Sequence, residues 1–369
     1  MKKTFLFVTD TYYKDGKLTG AHKRFLELVR GTSKIANVIL ITREIPQLYD
    51  VEAERYLIGG GKRRRVPVHL NGMIDLAHTL VRVKNKLRYD YAISFGPTNT
   101  ICLKWCGYKN IISLFREDLI GYQKVLGATN SKLLYSKLQE RIAVKASDKI
   151  IVQCENDKKN LVLRNERYDK NIQNKVFIQI NNANASWMNT DTINDSTYQD
   201  DKVRIFFIGS FSDKRKGHSI IIPAISKLLD DGFSIEFYIA GDGQELDSYK
   251  QKYNKYQQIH FLGRVDNIPY YLSISDFEMV PSFIDSCPNT VLEGINAGVA
   301  VYGAKKGGIP DLLEKDKYMF EPDINSIYQF TKDKIEKKAY VQDANEQRKI
   351  KEKLTFDWSA KILDIIVNN

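Results

Sequence analysis

Short apolar, β-branched runs punctuate the whole chain. Thr4 to Thr9, Val38 to Thr42, Tyr91 to Phe95, Asn110 to Phe115, Ile150 to Cys154 and Val176 to Ile180 each have the length and composition of a strand buried on both faces. Several intervals between them hold a helical pattern, as in Lys23 to Arg30. Strand and helix therefore alternate, as in a doubly wound parallel sheet. The polar stretch Asn181 to Asp201 is rich in Asn, Asp and Thr and reads as a linker. A second series follows: Val203 to Ile208, Ile235 to Ala240, Ile259 to Leu262, Phe277 to Val280 and Val299 to Tyr302. The pattern predicts an α/β chain of two Rossmann-like domains, residues 1–190 and 200–354, with the closing segment 355–369 packing back on the first. Ligands of such sheets bind at the carboxyl ends of the strands, so the expected site is a cleft between the two domains.

The longest concentration of chemistry is Pro281 to Gly298. Asp285 and Glu293 bracket a helix start, with Ser286 or Asn289 as expected N-cap and Pro288 beside them. Glu293 falls about one turn inside. The first-turn N–H groups around Asn289, Thr290 and Val291 then open between two carboxylates, and such an end attracts phosphate. Carboxylates accept hydroxyl groups, so the stretch suits a ligand with polyol at both ends and phosphate in the middle, which is the form of a nucleotide sugar. Upstream, the strand Val203 to Ile208 leads to Lys214, Arg215 and Lys216, where a lysine can neutralise a diphosphate leaving group. Glycines stand at two more strand ends, in Ile239 to Leu246 and Phe261 to Pro269.

Charge adds one element to this picture. The net charge is +11, and it is unevenly placed: residues 1–190 carry 33 Lys and Arg against 17 Asp and Glu, the remainder 23 against 28. A field of that kind favours nucleic acid, an anionic membrane face or a phosphate-bearing substrate. Lys62 to Arg65 follow three glycines, a loop suited to anionic lipid or plain solvation. Leu134, Leu138 and Ile142 lie at helical spacing beside Lys137, Arg141 and Lys145; a domain-surface helix packing its apolar stripe is the first reading, a membrane-facing helix the second. The loop after the first strand contains Gly16 and Gly20, with His22 just beyond, and either makes a turn or meets a phosphate or sugar. No G-x-G-x-x-G follows that strand, which counts against a dinucleotide dehydrogenase. Four scattered cysteines form neither a zinc pattern nor a disulfide framework. The apolar run Phe5 to Val8 meets Asp10 too early for a signal peptide, so the expected location is the cytoplasm, peripheral at the inner membrane face at most.

In order and spacing, Gly209 with Lys216-Gly217, Ala240-Gly241-Asp242-Gly243, Phe261-Leu262-Gly263, Pro281-Ser282, Glu293 and Gly307-Gly308 resemble the family 4 retaining glycosyltransferases of the GT-B fold. The resemblance covers roughly residues 203 to 330. It implies a donor held by the C-terminal domain: Glu293 on the ribose hydroxyls, Lys216 and the amides of Asn289, Thr290 and Val291 on the diphosphate, Asp285 on the transferred sugar. Gly209, Ser210, Lys214, Arg215, Gly241, Gly243, Arg264 and Val265 then belong to the donor loops, and Gly16, Gly20, His22 and Arg116 to the N-terminal side. The leaving phosphate is thought to help deprotonate the acceptor. No metal and no cofactor is implied beyond a nucleotide-sugar co-substrate, expected to be UDP-linked, and the chain has no Asp-x-Asp. The implied partners are that donor and a glycan or polyprenyl-phosphate-linked acceptor for a cell-surface or exopolysaccharide, with an anionic membrane surface and without nucleic acid.

Three departures qualify the resemblance. The family's first glutamate is Asp285, the arginine after the glycine of the first C-terminal strand is Ser210, and the histidine near an N-domain strand end is replaced in the region of Phe115-Arg116-Glu117. Ser210 and the missing histidine motivate a second reading, a binding or regulatory subunit that has lost turnover. A nucleotide-sugar epimerase on the same fold is the third.

Overall fold

The computed structural model describes residues 2–10, 20–59, 68–185, 188 and 200–368. Gly16, the Lys62 to Arg65 run and most of the Asn181 to Asp201 stretch lie outside the described residues. The chain divides into two compact units: residues 1–120, 129–180 and 357–369 form one, residues 121–128 and 181–356 the other.

In the first unit β1 (Thr4–Thr9), β2 (Asn37–Thr42), β3 (Glu54–Leu57), β4 (Tyr91–Phe95), β5 (Ile111–Leu114), β6 (Lys149–Val152) and β7 (Val176–Ile178) make one sheet in the order β3-β2-β1-β4-β5-β6-β7. Every pairing is parallel, with Phe5 opposite Val38 on one side and Tyr91 on the other. Central strands read as continuous apolar runs because helices cover both faces. Leu6, Val8, Ile39, Ile41 and Ala92 meet Leu76 and Leu80 on one face, and Ile150 and Val152 meet Ala143, Val144 and Leu161 in a second cluster. Helix Gly20–Ser33 packs against the closing helix Trp358–Asn368, where the Ser359 hydroxyl donates to the Glu27 carbonyl at 3.1 Å.

The second unit repeats the plan with β8 (Val203–Ile208), β9 (Ile235–Ala240), β10 (Ile259–Gly263), β11 (Phe277–Val280), β12 (Ala300–Ala304) and β13 (Met319–Phe320), ordered β10-β9-β8-β11-β12-β13. All of its ladders are parallel too. The strand order reverses between β8 and β11, the switch point where such sheets open a crevice beyond their carboxyl ends. Two strands, β3 and β13, have no counterpart in the sequence reading. Glu54–Leu57 is a half-exposed edge and Met319–Phe320 only two residues, so neither carries a run of buried apolar residues.

One helix corrects the expectation made for it. In Asn130–Ala146 the buried positions are Ser136, Glu140, Ala143, Val144 and Ala146, while Leu134 and Leu138 are exposed by 69% and 54%. The C-terminal part packs as expected, Ala143 and Val144 entering the hydrophobic cluster with Ile142 against it, but further up Glu140 turns inward because it has buried partners: Arg164 Nε and Nη2 donate to its two oxygens at 3.0 and 2.8 Å, and Asn165 Nδ2 at 2.8 Å. Among the described residues no helix is long and apolar enough to cross a membrane.

Candidate functional site

Five loops of the second unit leave the carboxyl ends of β8 to β12 and carry the predicted residues. Gly209 and Ser210 follow β8. The Gly209 N–H donates to the Ala240 carbonyl at 2.9 Å, Phe211 N–H to the Asp242 carbonyl at 2.8 Å, and the Ser210 hydroxyl to that same carbonyl at 3.1 Å. These bonds hold the loops after β8 and β9 backbone to backbone. Gly241, at φ +147°, sits where a Cβ would run into the Gly209 carbonyl oxygen, so only glycine allows the approach. Gly243 continues that loop. Arg264 and Val265 follow β10, the first exposed and the second half-buried.

The basic turn Lys214–Lys216 is organised by Asp213, which accepts from the Arg215 N–H at 3.1 Å and pairs with its guanidinium at 2.7 Å. Burial would raise the Asp213 carboxyl, but the Arg215 contacts prevail and hold it below its ordinary value. The same guanidinium lies 4.1 Å from the Tyr122 ring centre. Arg215 is therefore engaged by its own neighbours. Lys214, 71% exposed, lies 3.8 Å from Glu245 and faces solvent.

Lys216 and Asp285 are brought together, with Nζ to Oδ2 at 2.8 Å and both side chains about four-fifths buried. The backbone on each side is fixed. Phe283 N–H donates to the Arg215 carbonyl at 2.8 Å, and Gly308 N–H to the Asp285 carbonyl at 2.8 Å. Gly307, at φ +60°, packs on Asp285 so closely that a Cβ would meet its carbonyl oxygen. His218 buttresses the other side: its Nε2 lies 3.1 Å from the Gly209 carbonyl, and Phe207 and Phe211 flank its ring. Burial drives its pKa down to about 4, so the ring is neutral at pH 7 and Nε2 carries the donated proton.

Helix Asn289–Ala297 begins at Asn289, with Pro288 at φ −63° as N-cap and no side-chain cap. This corrects the expected Ser286 or Asn289 cap. Asn289 is already the first helical residue and Ser286 lies two residues before the cap position, while the proline ring presets the entry. As N-cap, Pro288 brings no side-chain oxygen to the first turn of Asn289, Thr290 and Val291, which follows Asp285, with Glu293 one turn further in. Ser286, expected as a cap, and Thr290, expected to offer its amide, also bring hydroxyls here. Ser286 Oγ and Thr290 Oγ1 are buried without a hydrogen-bond partner among the described residues. Sequence reasoning missed Glu278 on β11, a carboxyl buried beneath Gly294 that Glu293 influences electrostatically. An acid in the middle of an apolar strand was the available signal.

In the first unit Gly20 opens helix Gly20–Ser33, and His22 is buried, its pKa lowered by that burial. Arg116 lies beyond β5, half-buried, and lines a small apolar cavity with Phe95, Phe115, Gln153 and Trp358. Asp10 at the end of β1 pairs with Arg43 at 2.7 Å.

Residues 202–333 match the family model described as Glycosyl transferases group 1. Protein CapJ of Staphylococcus aureus is 28% identical over 148 residues, 38% of each chain, so the match spans well under half of that relative. The O-antigen biosynthesis glycosyltransferase WbnH of Escherichia coli is 26% identical over 118 residues, 32% of this chain and 33% of its own. HepE of Anabaena, solved in complex with UDP, superposes with a TM-score of 0.73 at 15% identity, covering all of both chains. The chain therefore has the GT-B fold, and its residues 202–333 are similar to Glycosyl transferases group 1.

Proposed function

We propose that the protein is a retaining glycosyltransferase. It moves a hexose from a UDP-linked donor to a hydroxyl of a glycan carried on polyprenyl phosphate, in cell-surface or exopolysaccharide synthesis. The observation that carries this reading is the Lys216–Asp285 pair at 2.8 Å, set before a helix that starts at Asn289 after Pro288, with Glu293 one turn behind it. A cation and helix-terminal N–H groups suit a diphosphate, and the carboxylates on either side suit hydroxyls. Glu293 takes the ribose, Lys216 and the Asn289 to Val291 amides the diphosphate, and Asp285 the sugar. Arg264 and Val265 stand at the nucleoside end. UDP is chosen because HepE was solved with it, and the pathway because WbnH acts in O-antigen synthesis.

In the reaction the bond from the sugar C1 to the β-phosphate oxygen breaks, its electron pair leaving with the diphosphate. The acceptor oxygen forms the new bond on the face being vacated, and its proton passes to the departing phosphate. Lys216 then faces its largest negative charge late in the step, where electrostatic stabilisation lowers the barrier. In the free protein the same ammonium rests on Asp285. Donor binding inserts phosphate beside Lys216 and a hydroxyl beside Asp285, exchanging one ion pair for two ligand contacts.

The basic surplus of residues 1–190 supports the phosphate-bearing acceptor and a membrane-peripheral location. A screen of nucleotide sugars with polyprenyl-linked acceptors tests the proposal. Turnover of one donor is expected, falling about 10²–10³-fold in Lys216→Ala, with folding intact. Unchanged turnover in both Lys216→Ala and Glu293→Ala sinks the site. Donor binding without turnover favours the regulatory-subunit reading that Ser210 motivates.

A further inference from the structure

Helices Asn130–Ala146 and Glu155–Asn165 enclose a cleft of about 210 Å³ on the first unit, lined by Ile120, Lys137, Arg141, Leu163, Arg164 and Arg167 with Glu140, Asn165 and Tyr168. Its floor is tied down: Arg164 is held by Glu140 and by Asp118, each within 2.9 Å, behind the surface. Its walls are different. Lys137, Arg141 and Arg167 have no acidic partner among the described residues, and Arg141 is stacked 3.8 Å over the Tyr168 ring, which orients its guanidinium. Three like charges around one small concavity repel each other, and an anion relieves that repulsion.

The rim carries the second observation. Leu163 lines the cleft with 64% of its surface exposed, and Leu134 and Leu138, on the helix that supplies Lys137 and Arg141, are exposed by 69% and 54%. Leu134, Lys137, Leu138 and Arg141 fall at i, i+3, i+4 and i+7, so leucines and cations share one outward stripe of the helix. A dissolved anion gains nothing from leucines beside it. A bilayer offers both phosphate and acyl chains at that spacing.

We propose that this cleft is a docking site for anionic phospholipid, with a headgroup phosphate held by Lys137, Arg141 and Arg167 and the three leucines entering the acyl boundary. The proposal extends the lipid-linked acceptor reading by giving the enzyme its membrane-facing surface, yet its test uses neither donor nor acceptor.

The full chain is mixed with vesicles of phosphatidylglycerol and phosphatidylcholine and, separately, of phosphatidylcholine alone, and bound protein is measured by co-sedimentation. Selective binding to the anionic vesicles is expected, weakening about fivefold for each of Lys137→Ala, Arg141→Ala and Arg167→Ala. Leu134→Ser/Leu138→Ser lowers binding while leaving its salt dependence unchanged; Lys250→Ala/Lys255→Ala on the second unit changes nothing. Thermal unfolding of each variant checks that it is folded. Equal vesicle binding by wild type and the triple charge variant overturns the proposal. So does competition by inorganic phosphate or heparin combined with no effect of the leucine pair, which assigns the cleft to a soluble anion. Vesicle binding without turnover of any donor counts against the glycosyltransferase reading alone, and turnover without vesicle binding against this proposal alone.

Discussion

Glu278→Gln should stabilise the protein, and by an amount that grows with pH. Glu278 lies on β11 with 1% of its surface exposed, and its Oε2 has no hydrogen-bond partner among the described residues. Burial, aided by the negative charge of Glu293, pushes its pKa well above the ordinary carboxyl value of 4.5. The folded state therefore holds a proton that the unfolded chain has released above that value. Stability is intact below the unfolded pKa and declines as pH rises, by about 1.4 kcal/mol per pH unit, until the folded carboxyl itself ionises. Glutamine has the same outline and no proton to take up, so its own unpaired amide adds only an offset independent of pH. For a domain of this size that slope corresponds to roughly 3–6 °C in Tm per pH unit. Thermal unfolding of both proteins between about pH 5 and about pH 7 should show the two Tm curves diverging as pH rises. Parallel curves, or a constant loss in the variant, would show Glu278 ionised and compensated, and the argument would fail. The consequence reaches the site: a neutral Glu278 puts no like charge beneath Glu293.

Three further outcomes follow from the same unit. Gly307→Ala, at φ +60° and against the Asp285 carbonyl, should displace Asp285 and raise the donor KM by at least tenfold, roughly 1–3 kcal/mol of strain, with the circular dichroism spectrum unchanged; an unaltered KM refutes the contact. His218 has its pKa lowered by burial to about 4, so its contribution to stability is complete above the unfolded value of 6.5 and is lost as pH falls toward 4, up to about 3 kcal/mol. His218→Gln should remove that acid-side slope in an unfolding series, and a slope that persists assigns it elsewhere. Ser210→Arg adds a cation beside the Lys216 loop, at the cost of the Ser210–Asp242 hydrogen bond, and should lower the donor KM about fivefold; a higher KM means that this loop already holds the diphosphate without a second charge.

The fold was legible because parallel strands buried on both faces announce themselves as short apolar runs, and Phe5 to Val8 or Phe277 to Val280 sit in environments that leave no other solution. Edges carry less of that signal. Glu54–Leu57 and Met319–Phe320 pair along one side only and take whatever residues their neighbours allow. At the site, Asp285, Lys216 and Glu293 could be named from spacing, because a strand, a glycine-bearing loop and a helix start place residues within narrow limits. Their partners could not. That Arg215 is engaged by Asp213 and Tyr122 while Lys216 meets Asp285 depends on which way adjacent side chains leave one turn, and the sequence lists Lys214, Arg215 and Lys216 as equals. Leu134 and Leu138 show the converse failure. Helical spacing gave the right element and placed Ile142 against the core, but it put Leu134 and Leu138 on the wrong side, because the Glu140–Arg164 pair, 24 residues apart in the chain, satisfies a buried acid that no local pattern displays. What turned outward in exchange is part of the surface on which the membrane proposal rests, so the two leucines that misled the sequence reading are also those whose substitution separates a bilayer from a soluble anion in its test.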